Sequence, residues 1–488
     1  MLAGERKRAA SQRAIKRATI VARRLDSPAQ LHSPQSAAPP QPQANRTLLE
    51  FYRCPEEFAC VLSPNTPAQQ SGFFRFGPDA ICYGSVRENA VHSRVSAELP
   101  DVLGDIPAEF STARLSFDPS EVIDNLRLER YCGPSAGAAP LQTGLAGTLY
   151  YCLRPLLGVP VRRCLQRLRL AGWRSIPFPR WPVDATVEHV HETLLRLCLQ
   201  SGVAEKIPFI WFWPGRSSGC AILTHDVETA RGRDFCSALM QLDAGFGMKT
   251  SFQLVPEKRY NLSESFLESI RSQGFEVNVH DLNHDGRLFA SERTFRDRVR
   301  RINEYGRAFR SEGFRSGALY RNVAWYKALE FSYDMSVPNV AHLDPQRGGC
   351  CTVMPYFIGD ILELPVTMTQ DYSLFHILGQ YSIDLWKTQI EIILKHHGLL
   401  SFIVHPDYII EKRACAVYAD LLAHLADLRR LSRLWTALPR EVNQWWRARS
   451  RMKLVLRAGS WIIQGPEKEK ATVAYATLRG DRLVYEFA

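Results

Sequence analysis

The stretch ILTHDVETARGRDF, residues 222–235, sets a histidine and two carboxylates where an apolar run ends. On an extended chain alternate side chains share a face, so Asp226 and Glu228 point one way and Val227 the other. A second cluster, VHDLNH, places His280 and His284 four residues apart. One helical turn or a tight loop can bring both imidazoles of such a pair to a single ion. Two neutral imidazoles and a carboxylate, with coordination positions left for water, form a catalytic arrangement for zinc or a similar divalent metal. The pair differs from the zincin H-E-x-x-H motif, because Asp281 holds the glutamate position and the segment follows a strand. Further polar groups close other apolar runs: Arg315 in GFRSGAL, Asp371 in ELPVTMTQD and His405 in LLSFIVHPD.

The elements that must position these residues follow a regular rhythm from Cys220 onward. Strand-like CAILTH, KTSFQLVP, FEVNVHD, GFRSGAL, DILELPVT and LLSFIVHPD are each followed by a helical pattern. Those helices include SESFLESIRSQG, whose Gly274 suits a C-cap, and NVAWYKALEFS. Alternating strands and helices imply parallel strands with crossover helices, and about 200 residues suit one (β/α) barrel. Chemistry in such barrels gathers at the C-terminal ends of the strands. Five strands here deliver polar groups to that rim.

In this order and spacing, LTHDVE, VHDLNH, GFRSGALYRN, ELPVTMTQD and LLSFIVHPDY resemble the five motifs of the polysaccharide deacetylases, the NodB-homology or carbohydrate esterase family 4 group. The resemblance covers residues 220–408. It implies an α/β fold with a distorted (β/α)7 barrel, one divalent metal, zinc by preference, and hydrolysis of N-acetyl or formyl groups on amino sugars. Carried over residue by residue, it implies Asp226 as base and Glu228, His280 and His284 as metal ligands. Arg315 would pair with the base, and Asp371 would support His405, the general acid. Two positions depart from the pattern. Val227 separates the acidic residues, which leaves His225 as a rival ligand and the roles of Asp226 and Glu228 exchangeable, and Gly317 stands where proline is common. Tyr320, Trp325 and Tyr372 fall along the rim, where aromatic rings can stack on sugars, although core packing is the commoner role for any one of them.

Composition divides the 488 residues into a basic tail (1–46), a mixed α/β and helical accessory region (47–215), the barrel (216–440) and a small C-terminal β appendage (441–488). The tail holds nine Lys and Arg against Glu5 and Asp26, so +7 of the net +11 resides there. The remainder is too evenly balanced for a nucleic-acid surface. Helical patterns at 148–172 and 186–202 suggest a collar in which His189 and His191, two apart, serve as surface or packing residues. No apolar run reaches the roughly 18 residues of a membrane span, IPFIWFWPG being the nearest. The tail lacks the apolar core of a secretory signal. Irregularly spaced cysteines without a Cys-x-x-Cys pair favour a reducing compartment, with Cys152, Cys164, Cys198 and Cys220 as small hydrophobes and Cys350–Cys351 as an inert loop pair. A cytoplasmic location is expected. The tail reads first as a solvated extension, then as a membrane-surface or nucleic-acid arm or an Arg-rich transit-like peptide, and peripheral membrane contact through it or the Trp211–Trp213 segment belongs to the second of these readings. The expected partner is an N-acetylated amino-sugar glycan or glycolipid precursor. An amidase acting on a non-sugar C–N bond and a catalytically inactive carbohydrate-binding barrel are the alternatives.

Overall fold

The computed structural model describes residues 45–59, 61–62, 70–87, 91–104, 113–133, 165, 168, 170–431 and 433–487. The basic tail up to residue 44 and most of the first collar helix, with Cys152 and Cys164, lie outside them. Asn45 caps the first helix, α1 (Arg46–Tyr52), by accepting from the Leu48 amide. In the N-terminal layer two short pairs follow, β1 (Val61–Leu62) with β4 (Ala113–Arg114) and β2 (Ser71–Arg75) with β3 (Ile81–Ser85). Helices α2 (Pro119–Arg127) and α3 (Thr186–Gln200) and the strand β5 (Lys206–Ile210) complete it.

The central sheet has nine strands. Every neighbouring pair is parallel from β13 (Leu399–Ile403) through β6 (Gly219–Val227), β7 (Ser251–Leu254), β8 (Glu276–His280), β9 (Gly313–Arg315) and β10 (Tyr333–Asp334) to β12 (Ile361–Glu363). β11 (Tyr356–Ile358) adds antiparallel to β12, and β14 (Leu434–Thr436) pairs with β6. The crossover helices are α4 (Ala230–Gly245), α5 (Glu264–Arg271), α6 (Glu292–Ala308) and α7 (Asp384–Lys395), and beyond β13 come α8 (Pro406–Ile409), α9 (Lys412–Arg430) and α10 (Pro439–Ser450). Thr229, Ser263 and Ser291 cap α4, α5 and α6 through their hydroxyls, ending each preceding loop where a helix must begin.

The sheet curls into a half-barrel, which agrees with the distorted barrel expected as far as a curled, mostly parallel α/β sheet. Between β12 and β13 there is no ladder; the Met368 amide donates to the Ser401 carbonyl, and the Thr367 hydroxyl to that of Leu399. The expected helix NVAWYKALEFS is also different. Val323–Ala328 forms a 3-10 turn, and Tyr333–Asp334, only two residues, becomes an interior strand. So short a strand has no alternation to show in sequence. Helix α5 stops at Arg271, three residues before Gly274.

The two termini share one core. β17 (Val473–Arg479) pairs antiparallel with β5 and with β18 (Arg482–Phe487), so the C-terminal hairpin is part of the N-terminal layer and not a separate appendage. Its two-residue turn falls on Gly480–Asp481, with Gly480 at φ +61°, as the hairpin signal requires. A second hairpin, β15 (Lys453–Arg457) with β16 (Ser460–Gln464), precedes it, and α10 runs across position 440. Arg449 of α10 donates to the carbonyls of Phe51, Ile210 and Trp211, and the Tyr52 and Tyr485 hydroxyls meet at 2.8 Å. Trp211 and Trp213 are buried in this core and cannot meet a membrane. Among the described residues no helix is long and apolar enough to cross one. Cys198 is buried, and Cys220, Cys350 and Cys351 are free, buried thiols whose pKa values burial pushes up.

Candidate metal and acid–base site

Strand β6 divides its side chains between two worlds. Cys220 and Ile222 pack inside the curl with Tyr333 and Leu362, whereas Ala221, Leu223 and Val227 pack against the surrounding helices. The same alternation carries Thr224 and Asp226 inward and turns His225 outward. There His225 Nε2 lies 3.0 Å from Asp243 of α4 and Nδ1 lies 3.0 Å from the Val404 carbonyl. Fully buried and doubly bonded, His225 is a packing residue and not the rival ligand.

Arg315, at the end of β9, is buried beneath the inner face. Its Nη1 donates to Asp226 Oδ1 at 2.7 Å and to Thr224 Oγ1 at 2.6 Å, and its Nε donates to the Met335 carbonyl. Burial alone would raise the Asp226 pKa, but Arg315, His280 and His405 outweigh it and hold the carboxyl below its ordinary value. The substitution of glycine for proline at 317 leaves this pairing intact. It has a local reason too: a Cβ on Gly317 would meet Asp281 Oδ2 at 2.5 Å and His284 Cδ2 at 3.0 Å. The loop carrying both histidines rests on that glycine, with Asp281 at φ +56° and His284 at φ +52°.

Glu228, His280 and His284 converge. One donor atom from each lies within 4.8 Å of the others, and His284 Nε2 is 2.9 Å from Glu228 Oε1. The Nε2 atoms of both histidines are buried, and Glu228 Oε1 is the carboxylate oxygen that both face, at 2.9 Å from His284 and 3.9 Å from His280. His280 Nδ1 lies 3.2 Å from the Arg315 carbonyl, which can only accept, so Nδ1 carries the proton and Nε2 offers its lone pair. Buried nitrogens that converge on an ionised carboxylate fit a divalent cation. Glu228 is held well below its ordinary pKa, because His284, His280 and His405 outweigh the effect of burial.

On the opposite flank, His405 follows β13. Asp371 accepts its backbone amide at 2.7 Å through one oxygen and its Nδ1 at 2.7 Å through the other. Its Nε2 faces Glu228 Oε1 at 3.6 Å. Burial lowers the imidazole pKa, but Asp371 and Glu228 outweigh it and raise it well above the ordinary histidine value. All seven expected site residues are thus linked by pairwise contacts into one network.

Other expectations fare differently. Tyr320 is buried, and Trp325 packs on Phe289 and Phe295, so neither lies free along the rim. Tyr372 lies 5.5 Å from Tyr408, whose ring is 5.1 Å from His405. Spacing did not reveal Thr224, Tyr408 or Arg259. Arg259, in the loop after β7, donates to the carbonyls of Asn283 and His284 and so fixes the histidine loop. Its only sequence signal is a basic residue beyond a strand that seemed to deliver nothing polar.

No protein-family model and no curated protein matches the chain. Solved structures of polysaccharide deacetylases match about half of it at low identity. One from Mycobacterium smegmatis is 18% identical and covers 51% of this chain and 98% of its own, with a TM-score of 0.41. The PuuE allantoinase is 11% identical, with coverages of 48% and 92% and a TM-score of 0.39. The Xyl-CE4 domain of a multidomain xylanase from the hindgut metagenome of Trinervitermes trinervoides is 12% identical, with coverages of 47% and 92% and a TM-score of 0.31.

Proposed function

We propose that the chain is a metal-dependent hydrolase that removes N-acetyl or formyl groups from amino sugars of a cell-surface polysaccharide or its precursor. The observation that carries this reading is the placement of two buried imidazole nitrogens that converge on Glu228, between an arginine-held carboxylate and a carboxylate-held histidine. Glu228, His280 and His284 hold the cation, zinc by donor type. When bound, it supplies Lewis acidity to the acyl oxygen and to the attacking water. Asp226 takes the water's proton through Oδ2, since Oδ1 is committed to Arg315. Arg315 keeps that carboxylate ionised and oriented. His405 donates from Nε2 to the departing amine, and Asp371 holds Nδ1 and keeps the ring charged until then. Tyr372 and Tyr408 form an aromatic wall beside His405 on which a sugar ring can lie.

The substrate reading extends to location: the glycan is a precursor met in the cytoplasm, lipid-linked and approached with the help of the basic tail. The test is an assay for acyl release across N-acetylated sugars, N-formylated sugars and cyclic ureides, with chelator and with restored zinc. Metal-dependent acetate or formate release from the sugars is expected. Turnover of ureides alone would assign a non-sugar amidase, and metal binding without turnover would assign a binding barrel.

A further inference from the structure

A second cluster of metal-binding side chains lies at the other end of the sheet. His189 and Glu192 stand three apart on α3 and therefore share a face, and His396 caps the end of α7. Glu192 lies between the imidazoles, with Oε1 3.0 Å from His396 Nδ1 and Oε2 3.7 Å from His189 Nδ1. The rings stand nearly perpendicular with centroids 4.8 Å apart. One donor from each of the three residues lies within 4.8 Å of the others. Bonds of about 2.0–2.1 Å in a tetrahedral zinc site set donors about 3.3 Å apart, and the two Glu192–imidazole separations, one to each carboxylate oxygen, fall on either side of that value. Side-chain exposures of 26%, 31% and 13% leave the donors reachable from solvent while their stems are packed.

The flanking histidines face elsewhere. His191 stacks on Phe51 at 3.9 Å, and His397, at φ +56°, turns Nδ1 to the Ser218 carbonyl. The cluster is therefore a local convergence and not a histidine-rich surface. His396 precedes β13 and His405 follows it, so a strand at about 3.3 Å per residue separates this cluster from the acid–base site by roughly 20 Å. In α/β barrels that end of the strands serves stability rather than chemistry.

We propose that His189, Glu192 and His396 form a second divalent-cation site, suited to zinc and structural in role, that clamps α3 of the N-terminal layer to α7 of the central sheet. Metal content tests it on the full chain without touching the clamp. In His280→Ala/His284→Ala protein titrated with ZnCl2 and dialysed, one zinc per chain should remain, against two in the unaltered protein. The thermal midpoint of that variant should rise with added ZnCl2. Adding Glu192→Gln, which preserves size and hydrogen bonding, should weaken retention by more than the roughly 10–100-fold typical of changes in groups that merely support a ligand, and should abolish the thermal shift. No zinc in the His280→Ala/His284→Ala protein would overturn the site and leave the cluster a plain ion pair, as would retention unaffected by Glu192→Gln. Failure of the catalytic site looks different: unaltered protein would hold a single zinc that is lost with Glu192→Gln and indifferent to His280 and His284.

Discussion

Two buried arginine–carboxylate pairs have arginines close in sequence, Arg315 and Arg321, and serve opposite ends. Arg321 and Glu129 form a closed pair: Nε donates to Oε2 at 2.6 Å, Nη2 donates to Oε1, Nη1 reaches the Leu319 carbonyl, and the Gly349 amide also binds Oε1. It ties the N-terminal layer to the loop after β9. Arg315 and Asp226 form an open pair. Only Oδ1 is engaged, Arg315 Nη2 has no hydrogen-bond partner, and Asp226 Oδ2 faces His280 Nε2 at 3.8 Å. A saturated pair fixes geometry, whereas an unsaturated one keeps a charge available for a proton.

The contrast can be broken from either side. The largest effect belongs to the open pair: Asp226→Asn should lower kcat about 10²–10⁴-fold while zinc content stays near the parent's. The amide oxygen keeps the Arg315 hydrogen bond, so the loss of stability is smaller than for a change that removes the acceptor. Loss of zinc instead would mean that Asp226 and Glu228 exchange roles. In the closed pair, Glu129→Leu strands the Arg321 charge in the interior and should cost about 3–5 kcal/mol in denaturant unfolding, with kcat in the folded fraction unchanged. A drop in kcat equal to that of Asp226→Asn would erase the distinction.

A pH profile sharpens the same comparison. His405 has a raised pKa, so activity that needs its proton is present below that pKa and lost as pH rises through it. Asp371→Asn removes the main stabilising charge and should move the alkaline limb of kcat/KM to lower pH, whereas Glu129→Leu should leave the limb in place. The smallest effect is expected from Gly317→Ala. The added Cβ pushes on Asp281 and His284, and zinc affinity should fall about 10-fold with little change in stability.

How much of this was legible in the sequence depends on what each residue must do alone. Asp226, Glu228, His280, Arg315 and His405 could be read because each stands at or just beyond the end of a buried strand, where burial without purpose would be costly. His284 and Asp371 lie farther out in loops and are legible only through spacing and the motif resemblance. The outward turn of His225 follows from the same alternation, yet only Asp243, 18 residues away, shows that the outward side can satisfy it. β10 was illegible because Tyr333 and Asp334 acquire strand geometry from β9 and β12 on either side. Arg259 was illegible because it works through backbone carbonyls, which leave no spacing rule. The sharing of one core by the two termini was hidden for a related reason: an edge strand such as β5 does not announce its partner.

That partnership has a temporal side. In the β5–β17 ladder Ile210 faces Val473, so the ribosome must add more than 250 residues before β5 meets its neighbour. At about 5–20 residues per second this takes roughly 13–50 s. Throughout that interval the nascent chain carries an open apolar edge of Ile207, Phe209 and Ile210 next to Trp211 and Trp213, the kind of edge on which other chains add strands. Nascent chains stalled before residue 473 should therefore recruit holdase chaperones or aggregate, and release of the last hairpin is the moment at which this protein becomes safe to leave unattended.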